Sequence, residues 1–353
     1  MGDMSRLRPL GLVILAVLIY YVGVGELVER LRSADVGVFL AGFAILIISG
    51  LVFLVRWQVL LRGIGYNIPW RSAYEITLLG LFSNLFTPGR LGDIPVRAFF
   101  LKRREGVPVK DGLATTSGDR YVDIMFLMVV GLVSFWLLTG TAEIAALQGA
   151  GMVQVRSAVA VILLLMAAVP TVALTRTAFF IGLLRRVLPE RVGPHLDTAE
   201  EAVPRLVDNL RTFLHGPSLA ALIVCTPAMW ILYALSFHVY LLSFGETADP
   251  WIVLPAFFVA YLFGLISMVP GGIGTSDLGV VAILASAGID RSATLIASIA
   301  VKVTNLLYVG CLCLLIPDRA DIGEATAVIG EENAGTNPVP QGDGSPGPRS
   351  REE

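Results

Sequence analysis

A Pro-Gly breaker embedded in apolar sequence occurs twice in this chain, at corresponding places, and this duplication limits the fold more than any other feature. The first copy runs Leu81-Phe82-Ser83-Asn84, then Pro88-Gly89-Arg90-Leu91-Gly92-Asp93; the second runs Leu265-Ile266-Ser267-Met268, then Pro270-Gly271-Gly272-Ile273-Gly274-Thr275-Ser276-Asp277. A bilayer core offers no water to free N–H and C=O groups, so a helix cut by Pro-Gly must stop, turn and find new partners. The offset of 182 residues persists beyond the breakers. Pro88, Gly89 and Gly92 map to Pro270, Gly271 and Gly274; Gly106 maps to Gly288, Arg120 to Lys302 and Asp123 to Asn305. Upstream, Pro69-Trp70 corresponds to Pro250-Trp251 after a one-residue gap. The repeat is therefore a whole unit of helix, breaker and helix, and paired broken helices are how many transporters build a binding site.

The composition, 55% hydrophobic and 15% charged, excludes an ordinary soluble domain, where charge is about 25%. We expect an all-α polytopic membrane protein. Stretches able to cross about 30 Å of hydrocarbon lie at roughly 10–25, 36–55, 119–140, 157–175, 219–243 and 294–316. Two more, at about 74–87 and 253–269, end at the breakers and are followed by short segments at 91–101 and 275–287. The expectation is about six full spans plus two re-entrant hairpins, the alternative being that the short segments cross fully. The membrane domain covers 1–317, with repeat 1 at about 36–140, repeat 2 at about 218–316 and a cytoplasmic amphipathic segment at 176–217. Residues 318–353 form a cytoplasmic tail, disordered from about 330 by its Gly, Pro, Ser and Glu content.

With the N-terminus inside, inner segments hold fifteen basic residues, Arg56 and Arg62 among them, against Arg30, Arg32, Arg156 and Arg291 outside. This bias makes both termini cytoplasmic and the two repeats inverted. In the aqueous segment, Thr198 to Glu201 has capping-box spacing, and Val203, Leu206, Leu210 and Phe213 share a helical face, which predicts a helix lying on the membrane. Pro204 moves its expected start toward that residue. Cys225, Cys311 and Cys313 lie in apolar stretches and read as packed or lipid-facing thiols; three scattered histidines make no metal set.

Charge at membrane depth costs about 2.5–3.5 kcal/mol per residue even on the lenient insertion scale, so the charges found there mark the site. They are Arg90, Asp93 and Arg97 in the first hairpin, Asp119, Arg120 and Asp123 in the following span, Asp277 in the second hairpin and Lys302 in the last span; Asn84 and Thr275 add polar groups. Arg120 and Asp123, at i and i+3, can pair with each other. The repeat brings Arg120 and Lys302 to the same depth, however, and two cations there call for carboxylates or an anionic ligand between them. Helix starts after Gly92 and Gly274 would add N–H donors for a phosphate. Ion pairs that only hold the hairpins in place are the alternative reading. Pro88, Gly89, Gly92, Pro270, Gly271, Gly272 and Gly274 shape the hairpin tips.

The run Asn84, Pro88-Gly89-Arg90-x-Gly92-Asp93, Arg97, Asp119-Arg120-x-x-Asp123 and Pro270-Gly271-Gly272-x-Gly274-Thr275-x-Asp277 resembles a flippase-like integral membrane family. That family includes the transmembrane region of lysylphosphatidylglycerol synthases, and the resemblance covers about residues 10–316. In the bifunctional synthases of that family this region is implicated in moving aminoacylated phospholipid between leaflets, so the resemblance implies a stand-alone lipid translocase, without the soluble domain that makes the aminoacyl ester. The family tends to carry Glu where this chain has Asp93 and Asp277, and Arg where it has Lys302. The expected function is translocation of a phospholipid or polyprenyl-phosphate-type lipid between leaflets of the cell membrane. The head group would be held by the cations and positioned by Asp93, Asp123 and Asp277. A membrane-embedded head-group transferase and a small-anion transporter are the alternatives. We expect no catalytic residue, metal or cofactor, and no nucleic-acid partner; no nucleotide-binding Gly-x-x-x-x-Gly-Lys-(Ser/Thr) occurs. The partners would be the membrane lipid and the bilayer, with room for a homo-oligomer and a separate lipid-modifying enzyme.

Overall fold

The computed structural model describes residues 24–84, 87–140 and 193–314, with Tyr20 and isolated positions between 157 and 172. The expected spans at 10–25 and 157–175 fall largely outside the described residues, and the tail at 318–353 wholly so. The chain divides into two units, Met1–Pro317 and Asp318–Glu353; every element below belongs to the first.

Ten α-helices and no strand occur among the described residues. Repeat 1 comprises α2 (Val36–Gly63), α3 (Trp70–Asn84), α4 (Asp93–Glu105) and α5 (Val109–Gly140). Repeat 2 follows the same plan with α7 (Gly216–Ser243), α8 (Pro250–Ile266), α9 (Thr275–Ser286) and α10 (Arg291–Leu314). A short α1 (Val24–Arg32) precedes them, and α6 (Gly193–Phe213) links them. Four helices, α2, α5, α7 and α10, are long and apolar enough to cross a membrane.

An aspartate caps one helix in each repeat, though not at corresponding places. Asp35 accepts the Val38 N–H at the start of α2, and Asp249 accepts the Trp251 N–H at the start of α8, where Pro250 opens the first turn. At each breaker the chain makes a single 3-10 turn, Pro88–Arg90 and Pro270–Gly272. The central glycines sit in the left-handed region at φ 61° for Gly89 and 64° for Gly271, where a Cβ would be strained. Positive φ recurs in step elsewhere, at Gly65 and Gly245 and at Gly106 and Gly288. The backbone therefore repeats even where side chains differ.

Packing couples the halves reciprocally. α2 lies along α7 for most of its length; α5 packs on α8, and α10 packs on α3. The two turns touch each other. α3 meets α4 closely, because a Cβ on Gly80 would stand 2.8 Å from Arg97 Cγ. At 1.5 Å per residue, the 13-residue α4 and 12-residue α9 span only about 20 Å and 18 Å.

Two expectations are corrected. α6 begins at Gly193 and carries Pro204 inside it, so the Thr198 spacing falls within the helix rather than at its start. Pro204 is exposed, which lets water take the carbonyl its missing N–H would have bonded. The apolar face of α6 does not lie free on a membrane either. Phe213 is fully buried against Leu60 and Leu222, and Leu206 and Leu210 close on Gly118. Arg205 pairs with Asp111 at 2.9 Å, and Asn209 donates to Thr115. The three thiols are free, with Cys313 buried and Cys311 exposed.

Candidate functional site

The interior of repeat 1 holds three carboxylates and three guanidinium groups. Arg56, fully buried on α2, reaches Asp123 at 2.6 Å and Asp119 at 2.7 Å, and donates to Thr226 Oγ1 at 2.9 Å. Arg97 on α4 reaches Asp119 at 3.2 Å and Asp93 at 3.4 Å. Its guanidinium lies over the Trp57 ring, 4.0 Å from the centroid, where the ring quadrupole replaces part of the lost hydration. Arg120 on α5 pairs with Asp93 across the helix interface and, more loosely, with Asp123 at 3.7 Å. The i,i+3 pair expected from sequence exists, but the inter-helix partner dominates.

Repeat 2 holds the counterpart. Lys302 on α10 pairs with Asp277 on α9, which also accepts the Ser298 hydroxyl and, at 2.8 Å, the Gly274 N–H. In both repeats a cation of the long helix is thus tied to a carboxylate in the first turn of the short one. Asp93 and Asp277 also suit the positive ends of α4 and α9.

Arg90 departs from this pattern. It stands at the tip of the first hairpin and donates to the Tyr261 hydroxyl and to the Gly271 carbonyl of the other tip, both at 2.6 Å. Its Cζ lies 4.4 Å from the Tyr261 ring centroid. No carboxylate pairs with it among the described residues. Among the described residues it is one of two non-glycine residues at positive φ, 55°, where an L-residue costs about 1–2 kcal/mol; its mate in repeat 2 is Gly272, at φ 66°. Backbone strain kept at a partly buried cation without a carboxylate partner is the pattern expected of a functional position.

A cavity of about 320 Å³ opens beside these cations. Arg90, Arg120 and Lys302 line it together with Asn84, Asn305 and Gly271. The rest of the wall is mostly apolar and aromatic: Phe53 and Leu46 from α2, Trp230 and Tyr233 from α7, Tyr261 from α8, and Ile299, Val303 and Leu306 from α10. Val303 and Leu306 are 45% and 42% exposed, so the wall on that side is continuous with the outer apolar face of α10.

Of the ten residues expected to hold the head group, four line the cavity: Asn84, Arg90, Arg120 and Lys302. Asp93, Arg97, Asp119, Asp123 and Asp277 do not line it but are buried at 0–1% exposure, the four carboxylates holding the cations, Arg97 among them. Thr275 ties the second turn instead, through Ser267 Oγ and the Gly272 carbonyl. Among the tip residues, Gly271 reaches the cavity. Arg56 is a correction: assigned to a cytoplasmic segment, it lies inside the bundle. Trp57, Val59, Leu60 and Leu61, interrupted only by Gln58 as α2 continues after Arg56, were the available signal. Trp230, Tyr233 and Tyr261 carried none, being aromatic residues in apolar helices.

A family model described as the lysylphosphatidylglycerol synthase TM region matches residues 9–313. A UPF0104 membrane protein of Methanothermobacter thermautotrophicus is 25% identical over 86% of this chain and 91% of its own length. Another from Pyrococcus horikoshii is 24% identical over 84% and 89%. Glycosyltransferase AglD of Haloferax volcanii is 24% identical over 81% of this chain but 49% of its own length.

Proposed function

Since this chain belongs to the lysylphosphatidylglycerol synthase TM-region family, we propose that it translocates an anionic lipid, a phospholipid or polyprenyl phosphate, between bilayer leaflets. The carrying observation is Arg90, a strained cation at the meeting point of the hairpin tips with no carboxylate of its own. Five cations, Arg56, Arg90, Arg97, Arg120 and Lys302, face four carboxylates, Asp93, Asp119, Asp123 and Asp277. The surplus is one positive charge, which a phosphodiester monoanion matches. Leaving such a charge unpaired in low dielectric costs several kcal/mol. A lipid phosphate fits better than a free anion, because the apolar wall through Val303 and Leu306 gives acyl chains a path to the bilayer.

On this reading α3 with α4, and α8 with α9, are re-entrant hairpins, since arms of about 18–20 Å fall short of a hydrocarbon core of about 30 Å. Six full spans then place both termini in the cytoplasm. With Arg56 removed, inner basic residues still exceed outer ones by fourteen to four. The protein acts in the cell membrane with lipid as its partner and without covalent chemistry, moving the lipid downhill or coupled to an ion through the carboxylates. Alternating access comes from rocking one hairpin unit against the other around the cavity.

The test is a fluorescent phospholipid in liposomes, with dithionite bleaching the outer leaflet. Purified protein accelerates loss of the protected signal, and Arg120→Ala and Lys302→Ala abolish the acceleration. No acceleration by the wild type, or full activity in both variants, refutes translocation through this cavity. The likeness to a glycosyltransferase favours a second reading, a head-group transferase; it covers only half of that relative. A covalently altered lipid after incubation would support that reading instead.

A further inference from the structure

Among the described residues, the cavity wall carries cations and amides but no Asp or Glu. The four nearby carboxylates are 0–1% exposed, and each is paired with at least one cation; for Asp93 and Asp277 these include Arg120 and Lys302, which themselves line the cavity. The one carboxylate oxygen left without a hydrogen bond in Asp93, Oδ1, is itself buried and out of reach of a ligand. The repeat explains part of this. Asp123 in repeat 1 is matched by Asn305 in repeat 2, so the second copy faces the cavity with a neutral amide where the first has a charge. Among the described residues the Asn305 side chain has no hydrogen-bond partner, and the Asn84 amide uses only its oxygen, accepting the Asp93 N–H at 3.0 Å. Beside three cations the cavity therefore offers unspent amide N–H groups and the aromatic faces of Trp230, Tyr233 and Tyr261.

We infer that this cavity accepts a phosphodiester head group rich in hydroxyls and lacking an amine, and that it rejects an aminoacylated lipid. The inference rests on the reading of the cavity as a lipid head-group site. A glycerol or sugar beyond the phosphate finds N–H donors for its oxygens and flat apolar faces for its carbons. A lysyl ester instead brings ammonium groups next to Arg90, Arg120 and Lys302 with no carboxylate to meet them, and like charges brought together in a partly desolvated site are strongly disfavoured. This specificity departs from the lipid named in the family's description.

The experiment compares fluorescent phosphatidylglycerol with fluorescent lysyl-phosphatidylglycerol. Translocation is measured in phosphatidylcholine liposomes, and retention on the detergent-purified full chain by native mass spectrometry. We expect phosphatidylglycerol to be retained and moved at least about tenfold better, a factor of ten being about 1.4 kcal/mol. Asn305→Asp, which returns a carboxylate to the wall, narrows the ratio, and Asn305→Gln, which keeps the wall neutral, preserves it. Equal or preferred retention of the lysyl lipid overturns the inference whatever the transport result. An unchanged ratio in folded Asn305→Asp overturns it as well. Selective retention without transport of either lipid leaves the inference standing and refutes translocation.

Discussion

Replacing Arg56 by Met tests whether the buried network, rather than apolar packing alone, fixes the relation of α2 to α5. The side chain is 0% exposed and makes ion pairs of 2.6 Å and 2.7 Å with Asp123 and Asp119. At those contacts the charge centres stand about 4 Å apart, where one pair is worth about 4 kcal/mol at an effective dielectric of 20. Relief of the guanidinium desolvation offsets much of the two pairs together. The net loss is about 3–5 kcal/mol, the range for removing one partner of a buried pair. The residual network would hold Arg97 and Arg120 against Asp93, Asp119 and Asp123, an excess of one negative charge. Adding Asp123→Asn to Arg56→Met restores balance and recovers most of the loss. The measurement is an unfolding titration in detergent followed by tryptophan fluorescence, since Trp57 and Trp230 border the network. An Arg56→Met protein within about 1 kcal/mol of wild type, or a double variant no more stable than the single one, would refute the reasoning.

Three further outcomes follow from the same geometry. Gly80→Ala drives a methyl to 2.8–2.9 Å from Arg97 Cγ and Cδ and lowers stability by about 1–3 kcal/mol, the overpacking range, measured in the same titration. Arg90→Gly removes a positive-φ strain of about 1–2 kcal/mol along with two hydrogen bonds. Stability therefore changes little while lipid translocation is lost, and a loss of both would place Arg90 among the purely structural residues. Asp290, at the start of α10, titrates below the ordinary aspartate range: burial pushes its pKa up, but hydrogen bonds from Ser292 and the Ala293 N–H and the nearby Arg30 outweigh it. A depressed folded pKa means that its contribution is present above the unfolded value near 3.9 and is lost as pH falls through the folded value. Solvent screening keeps the effect small at its 32% exposure. Asp290→Asn should flatten the acid limb of stability against pH, and an unchanged limb would refute the assignment.

Much of this protein was determined by sequence, because the relevant signals are local. Apolar runs and Pro-Gly breakers set roughly where α2, α3, α5, α7, α8 and α10 lie, through backbone hydrogen bonding that needs no distant partner. But α2 runs on to Gly63 rather than ending near 55, and α5 begins at Val109 rather than near 119, because their polar ends are held by the rest of the bundle. The 182-residue offset linked Arg120 to Lys302 because duplication preserves order along the chain. The pairing of the charges was decided only by the tertiary structure. The long helices are apolar nearly all round, so no amphipathic stripe marks which face is buried. Arg56 therefore looked like a loop cation until α5 and α7 closed over it with Asp119, Asp123 and Thr226. The aromatic wall is of the same kind, since Trp230, Tyr233 and Tyr261 become a site only when α7 and α8 turn those faces toward Arg90. Which charge remains unpaired depends on the rotation of every helix in the network at once, and no local segment of sequence encodes that.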